Sequence, residues 1–194
     1  FSLPGTPMIQ YGAEIGMGDD LSLPERDSVR TPMQWSSEPN AGFTKAADAD
    51  LIRPVIDKGV YSYKKVNVVA QQRDSDSLLN WMERIIRVRR QCPELGNGEY
   101  NILDTGDSRL LAHCCELEYT TLVVHNLSGQ DCQVQLDDLK KKDMYLDEIF
   151  SSSDYTLPKN GTVELEPYGY RWFRLHKLPE KREDIAAPPG NTKA

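Results

Sequence analysis

The sequence has no apolar run long enough to span a bilayer, so a membrane-spanning helix is not predicted. Basic residues are the minority, with 23 Lys and Arg against 30 Asp and Glu, and the formal net charge is −7. A nucleic-acid partner requires a basic surface, so that class of partner is excluded. The first residues lack a charged segment followed by a long apolar one, and no signal peptide is predicted.

Cysteine and histidine are also scarce. The four cysteines, Cys92, Cys114, Cys115 and Cys132, show neither CxxC spacing nor a zinc-ligand pattern. We therefore expect reduced thiols and a cytoplasmic location. The three histidines have no carboxylate or thiol partner at ligand spacing, so neither a metal site nor a cofactor is predicted.

The most informative stretch is the first 44 residues. Met8–Tyr11 is a short, mostly apolar run bounded by glycines, which predicts a buried strand. A loop rich in glycine and acidic residues follows over residues 12–20. Barrels of alternating strands and helices place their active sites in loops of this kind, at the carboxyl ends of their strands.

Two motifs in this stretch, GTPMIQYGAEIGM and VRTPMQW…NAGF, resemble the last barrel strand and the following loop of glycoside hydrolase family 13, the α-amylase family. Within that family the match is to the trehalose synthase and α-glucosidase branch. QQRDSDSLLNWMERIIRVRR resembles the final barrel helix, while TLVVHNLS and LEPYGYRWFRL resemble strands of the C-terminal β-domain. The resemblance covers nearly all of residues 1–178.

The clearest helix is predicted over Ser77–Cys92, where apolar residues recur at steps of three and four. Asp74 or Asp76 is expected to cap its start, and Pro93 to end it. After residue 100, short apolar runs alternate with turn signals, which predicts an antiparallel β-sandwich; the runs cover residues 110–114, 121–124, 132–136, 144–149, 162–165 and 170–175. Apolar and polar residues alternate over residues 132–136 and 163–165, so one face there is expected to lie in water.

The expected fold is therefore the C-terminal piece of a (β/α)8 barrel, with its last strand, a long loop and its last helix, followed by an antiparallel β-sandwich domain. Residues 1–97 are assigned to the end of the catalytic barrel and residues 98–178 to the sandwich. Residues 179–194 are polar, contain three of the chain's prolines and are expected to form a flexible tail.

The chain does not begin with methionine, and its first residues look like the end of an apolar element, so we expect a piece of a longer protein. The family's two catalytic carboxylates and a third aspartate belong to motifs that do not occur in this sequence. The resemblance implies that all three lie upstream of Phe1. No catalytic residue is assigned, and the piece alone is expected to be inactive.

Three residues are candidates for substrate binding. By resemblance, Arg30 contacts the sugar, since a guanidinium can hold a hydroxyl and orient a carboxylate together. The alternative is that Arg30 pairs with Asp27 or Glu25. Glu14 is expected near the pocket mouth or in hydrogen bonds to loop amides, and Tyr11 lines the pocket or only packs.

The resemblance implies an enzyme acting on α-glucosidic bonds that isomerises maltose to trehalose through a glucosyl-enzyme. A hydrolytic α-glucosidase or α-amylase is the alternative, as is a non-catalytic module that binds glucan or stabilises a partner. The expected ligand is a disaccharide or oligosaccharide of the maltose and trehalose class. A barrel strand without neighbours has an unpaired edge, so self-association or an upstream barrel segment is also expected.

Overall fold

The computed structural model describes residues 1–47, 50–136 and 144–177. The chain forms two units, Phe1–Asn97 and Gly98–Ala194. The first unit is built from helices and turns, and the second from antiparallel strands. The tail predicted over residues 179–194 lies outside the described residues.

In its described residues, the first unit has the following 3₁₀ turns and α-helices. The turns cover Ala13–Ile15, Glu25–Val29 and Pro39–Gly42, and the helices are α1 (Val68–Gln72), α2 (Leu78–Arg90) and α3 (Glu94–Asn97). The long polar stretch between Ile15 and α1 is packed around a few buried side chains, among them Met33 and Ala41.

Helix α2 forms where the apolar spacing predicts it, and it buries Met82 and Ile85. Its cap differs from the prediction: the Ser77 hydroxyl accepts the hydrogen bond from the Asn80 amide at 3.3 Å. Asp74 instead accepts the amide of Asp76 in the preceding turn. The prediction of an aspartate cap was wrong because the helix begins one residue later than predicted, immediately after a serine that can itself cap.

The predicted buried strand at Met8–Tyr11 is absent. These residues form no ladder, and the side chain of Met8 is 95% exposed. Strand geometry requires a neighbouring strand to bind the backbone N–H and C=O groups. All strands of the described residues lie in the second unit, so this segment has no partner in its own unit.

Seven strands lie in the described part of the second unit, residues 98–136 and 144–177. They are β1 (Glu99–Leu103), β2 (Leu110–Glu116), β3 (Thr120–Asn126), β4 (Cys132–Gln135), β5 (Met144–Ser151), β6 (Thr162–Leu165) and β7 (Tyr170–Lys177). Five strands form one sheet in the order β1-β2-β3-β7-β5, and β4 pairs with β6 in a second sheet. All pairs are antiparallel, and a register shift interrupts β5 between Glu148 and Phe150.

Side chains of both sheets form one apolar cluster. Strand β6 contributes Val163, and β4 contributes Cys132 and Val134, while Gln133 between these two β4 residues is exposed. Leu122 and Phe173 contribute from the larger sheet. The alternation predicted for β4 therefore places one face of the small sheet on the core and leaves the other in water.

Candidate functional site

A glycine-bounded turn follows the exposed segment at Met8–Tyr11. Gly12 and Gly16 flank the turn with positive φ values of 86° and 69°. A Cβ atom on Gly12 would lie 2.6 Å from the sulfur of Met17, so this position requires glycine. Ile15 is buried beneath the turn, and its carbonyl accepts a hydrogen bond of 2.7 Å from the Gln71 amide side chain.

The second segment of the site runs through the motif RTPMQW. It begins after the 3₁₀ turn Glu25–Val29, where the Arg30 amide donates to the Asp27 carbonyl at 3.1 Å. Gln34 is fully buried, and its side-chain amide donates to the carbonyls of Tyr61 and Val66 at 3.1 and 2.5 Å. These bonds fix the end of the motif, and its first residue, Arg30, is exposed.

The two segments meet at a cleft of about 430 Å³ in the first unit. Its lining residues are Tyr11, Arg30, Thr31, Pro32, Phe43, Thr44, Ala46, Asp50, Leu51, Ile52 and Arg53. The wall combines two aromatic rings, aliphatic side chains and three charged groups. A sugar ring has apolar faces and a polar rim, and a wall of this composition can contact both.

Arg30 and Tyr11, two of the three predicted binding residues, line this cleft together. Asp27, one of the alternative partners predicted for Arg30, instead binds Arg53 at 2.6 Å. The Arg30 guanidinium has no ion pair within the described part of the chain. Its donors are therefore available to a ligand.

Glu14, the third predicted residue, does not line the cleft. It lies half-buried on the turn Ala13–Ile15. Within residues 1–47 and the other described ranges, its carboxylate accepts no hydrogen bond, so the predicted bonds to loop amides are not formed. The structure therefore brings Arg30 and Tyr11 together and leaves Glu14 outside their cleft.

Sequence reasoning missed Arg53 and Asp50, which also line the cleft. Both lie in a segment without clear periodicity, immediately before Pro54. The only feature of the sequence that marks them is their charge, in a stretch with no clear helix or strand pattern. Their position depends on the path of the long loop, and that path is set by contacts distant in sequence, such as the ion pair to Asp27.

The acidic residues near the site have structural partners or lie apart from one another. Asp20 accepts hydrogen bonds from the amide and hydroxyl of Ser22, and Asp27 binds Arg53. In the described ranges, no group of three His, Cys, Asp or Glu side chains could hold a metal ion. The same ranges contain no helix with the length and apolarity needed to cross a membrane.

Two family models match separate parts of the chain. Residues 1–98 match the model described as "Alpha amylase, catalytic domain", and residues 119–174 match "Sucrose hydrolase-like, C-terminal domain". The first match covers half of the chain.

Individual relatives are similar over most of the chain. The trehalose synthase of Pimelobacter sp. strain R48 is 38% identical over 90% of the chain, and the trehalose synthase/amylase of Mycobacterium tuberculosis is 36% identical over 97%. The chain spans 32% and 31% of the lengths of these two proteins.

Among solved structures, trehalose-6-phosphate hydrolase of Bacillus licheniformis matches with a TM-score of 0.67 and 24% identity. The match covers 86% of this chain and 35% of that one. At this identity the likeness supports the fold alone. The cleft-forming motifs and the family match agree, and the chain belongs to the α-amylase family, glycoside hydrolase family 13.

Proposed function

We propose that the chain is the C-terminal part of an enzyme that isomerises maltose to trehalose through a glucosyl-enzyme. The observation that carries the proposal is the cleft in which Arg30 and Tyr11 meet, within a chain 38% identical to a trehalose synthase. The ligand is an α-linked disaccharide or oligosaccharide of the maltose and trehalose class.

Arg30 is the residue that binds substrate most directly in this proposal. Its guanidinium carries several N–H donors in one plane, and it is exposed to the cleft without an ion pair among the described residues. A planar donor set can bind a sugar hydroxyl and a neighbouring carboxylate at once, which fixes their relative orientation. Tyr11 and Phe43 supply aromatic faces for the sugar ring.

The catalytic carboxylates are proposed to come from the rest of a longer protein. A retaining mechanism needs two carboxyl groups about 5 Å apart, on either side of the scissile bond. Asp50 is the one carboxylate that lines the cleft in the described residues, and Asp27 is bound to Arg53. Residues 1–47, 50–136 and 144–177 therefore place no carboxylate pair in this cleft.

Hydrolysis is the second candidate, because the M. tuberculosis relative carries the name trehalose synthase/amylase. Isomerisation and hydrolysis share the glucosyl-enzyme and differ in the acceptor that attacks it, glucose or water. Which acceptor attacks the glucosyl-enzyme more often depends on how well the closed site excludes water.

For the second unit we propose a C-terminal β-sandwich without catalytic residues. The shared apolar cluster of its two sheets supports this architecture. A role as a glucan-binding or stabilising module is the alternative to a purely structural one.

The test compares Arg30→Ala with Arg26→Ala in the longer protein that contains this chain, with maltose as substrate and products separated by chromatography. Arg26 lies on the turn before Arg30, is exposed and is not among the residues that line the cleft. We expect trehalose as the main product, and a fall in kcat/KM of about 100-fold for Arg30→Ala, as for loss of a charge-assisted contact. Arg26→Ala is expected to change it less than about twofold.

Glucose without trehalose would replace isomerisation by hydrolysis. Equal activity of Arg30→Ala and wild type would remove the cleft from the substrate site. The 194-residue chain alone is expected to show no turnover of maltose, and products above the blank would contradict the absence of a catalytic pair.

A further inference from the structure

The charged groups around the cleft compensate one another. Arg30 and Arg53 line it with positive charge, and Asp50 lines it with negative charge. Asp27 adds a second negative charge by binding Arg53, Nη2 to Oδ1, at 2.6 Å. The described part of the cleft therefore has no net charge.

We propose that the ion pair between Asp27 and Arg53 makes the cleft selective for uncharged sugars over phosphorylated ones. Asp27 is then a specificity-determining residue that acts through Arg53. The inference rests on the proposed function in one respect, namely that the cleft binds a sugar. It adds a selectivity against phosphorylated sugars that neither Arg30 nor Tyr11 provides.

The geometry of the pair supports this role. The side chains of Arg53 and Asp27 are 31% and 38% exposed, so water screens their interaction only in part. Asp27 lies on the turn Glu25–Val29, and Arg53 lies on the cleft wall. Asp27 thus reaches Arg53 from outside the lining and compensates its charge without occupying the cleft.

Arg53 keeps hydrogen-bonding capacity that Asp27 does not use. Its Nε atom is buried and has no hydrogen-bond partner within the described ranges. Without the charge of Asp27, Arg53 and Arg30 would face only the carboxylate of Asp50 among the described lining residues, which leaves one positive charge in excess. Paired guanidinium groups are a preferred site for a phosphate dianion.

In the wild-type cleft Asp50 offsets the charge of Arg30 and Asp27 offsets that of Arg53, so a phosphate meets no excess positive charge among the described residues. The charge of the cleft has little effect on the binding of a neutral sugar, because its hydroxyl groups form hydrogen bonds and its ring contacts the aromatic faces. Phosphorylated disaccharides are relevant competitors, since trehalose-6-phosphate hydrolase shares the fold.

The test measures binding of glucose 6-phosphate and of maltose to the 194-residue chain by calorimetry, for wild type, Asp27→Asn and Glu25→Gln. Glu25 is on the same turn and exposed, and it forms no ion pair in the described part of the chain, so Glu25→Gln removes the same charge without freeing Arg53. We expect Asp27→Asn to bind glucose 6-phosphate about five- to tenfold more tightly than wild type, as one uncovered charge near a surface predicts. Maltose binding is expected to change less than about twofold.

The double variant Asp27→Asn/Arg53→Gln is expected to return the affinity for glucose 6-phosphate to the wild-type value. Unchanged or undetectable binding of glucose 6-phosphate by Asp27→Asn overturns the inference, and so does an equal gain in Glu25→Gln. If Asp27→Asn does not fold, Arg53→Gln replaces it: it is expected to weaken glucose 6-phosphate binding at least fivefold, and no weakening overturns the inference.

The two proposals fail separately in this design. Absence of maltose binding to the wild type counts against the cleft as a sugar site, while the phosphate measurements still report on the ion pair. Maltose binding together with an unaltered phosphate affinity in Asp27→Asn retains the sugar site and removes Asp27 as its specificity determinant.

Discussion

The two units of the chain are stabilised by different kinds of interaction. In the first unit, single polar side chains bind backbone carbonyls of other segments of the unit. Gln34 binds the carbonyls of Tyr61 and Val66, and Arg89 binds those of Leu3 and Leu95. In the second unit, ladders of antiparallel strands surround an apolar cluster drawn from both sheets.

This difference has consequences for how each unit tolerates change. A buried polar group that loses its partner costs the full desolvation of the atom left behind, so a few residues carry much of the first unit's order. Apolar burial is distributed over many side chains and scales with area, so the second unit depends on each residue in proportion to its size. The cleft lies in the first kind of region, where loops are positioned by specific bonds.

The largest expected effect is in the second unit. Phe173 is fully buried in the apolar cluster, and Phe173→Ala leaves a cavity there. We expect a loss of about 3–5 kcal/mol in the free energy of unfolding, measured with urea. Hydrogen exchange should show the loss of protection in β3 and β7, the strands paired through Phe173 and Leu122.

Phe43→Ala is the matched control in the first unit. Its ring is 48% exposed, so we expect a loss of under about 1 kcal/mol. If Phe173→Ala and Phe43→Ala lower the free energy of unfolding equally, apolar burial does not distinguish the two units.

The two units also differ in how much of their structure the sequence predicts. Period-two alternation identified β4 and β6, and spacing of three and four identified α2, because both patterns are local. Strand β1 was missed, since its burial does not alternate. In the candidate site, Arg30 was predicted by motif resemblance and Tyr11 by its place after an apolar run, and both line the cleft. The pairing of Asp27 with Arg53 depends on the loop path, which no local pattern encodes.

A smaller effect is expected from Gln34→Leu in the first unit. The substitution removes both hydrogen bonds to the carbonyls of Tyr61 and Val66 and leaves these oxygens without that donor. The Gln34 Oε1 atom is itself buried without a partner in the described ranges, so part of its desolvation cost is also removed. We expect a net loss of about 2 kcal/mol, with hydrogen exchange increased in the first unit alone.

Gln72→Leu is the control, because Gln72 is exposed at the end of α1 and its side chain makes no hydrogen bond in the described residues. It is expected to change stability by less than about 0.5 kcal/mol. Loss of protection in β2 or β3 on Gln34→Leu would show that the two units do not respond independently.

The smallest effect concerns pH and the second unit. Burial, together with the charge of His125, lowers the pKa of His113 to about 4, and burial lowers the pKa of His125 to about 4. His113 faces the rings of Tyr100 and His125, and His125 also faces Tyr170. None of these neighbours offers a carboxylate that would stabilise an imidazolium.

In the unfolded chain both histidines titrate near pH 6.5, so as the pH falls below 7 the unfolded chain takes up protons before the folded one does. The stability that the neutral histidines contribute is therefore complete above pH 6.5 and is lost as the pH falls toward 4. We expect about 1 kcal/mol per histidine between pH 7 and pH 5, after allowing for the partial exposure of His125.

The measurement is urea unfolding of wild type and His125→Asn at pH 7 and pH 5. The backbone amides in the strands of the second unit serve as the probe of unfolding. Asparagine does not titrate, so the variant should lose about 1 kcal/mol less than wild type over this interval. A wild-type stability that rises between pH 7 and pH 5 would contradict the sign of the argument. If wild type and His125→Asn lose the same free energy of unfolding between pH 7 and pH 5, groups other than His125 cause the pH dependence. The second unit would then depend on charged or polar contacts, as the first unit does.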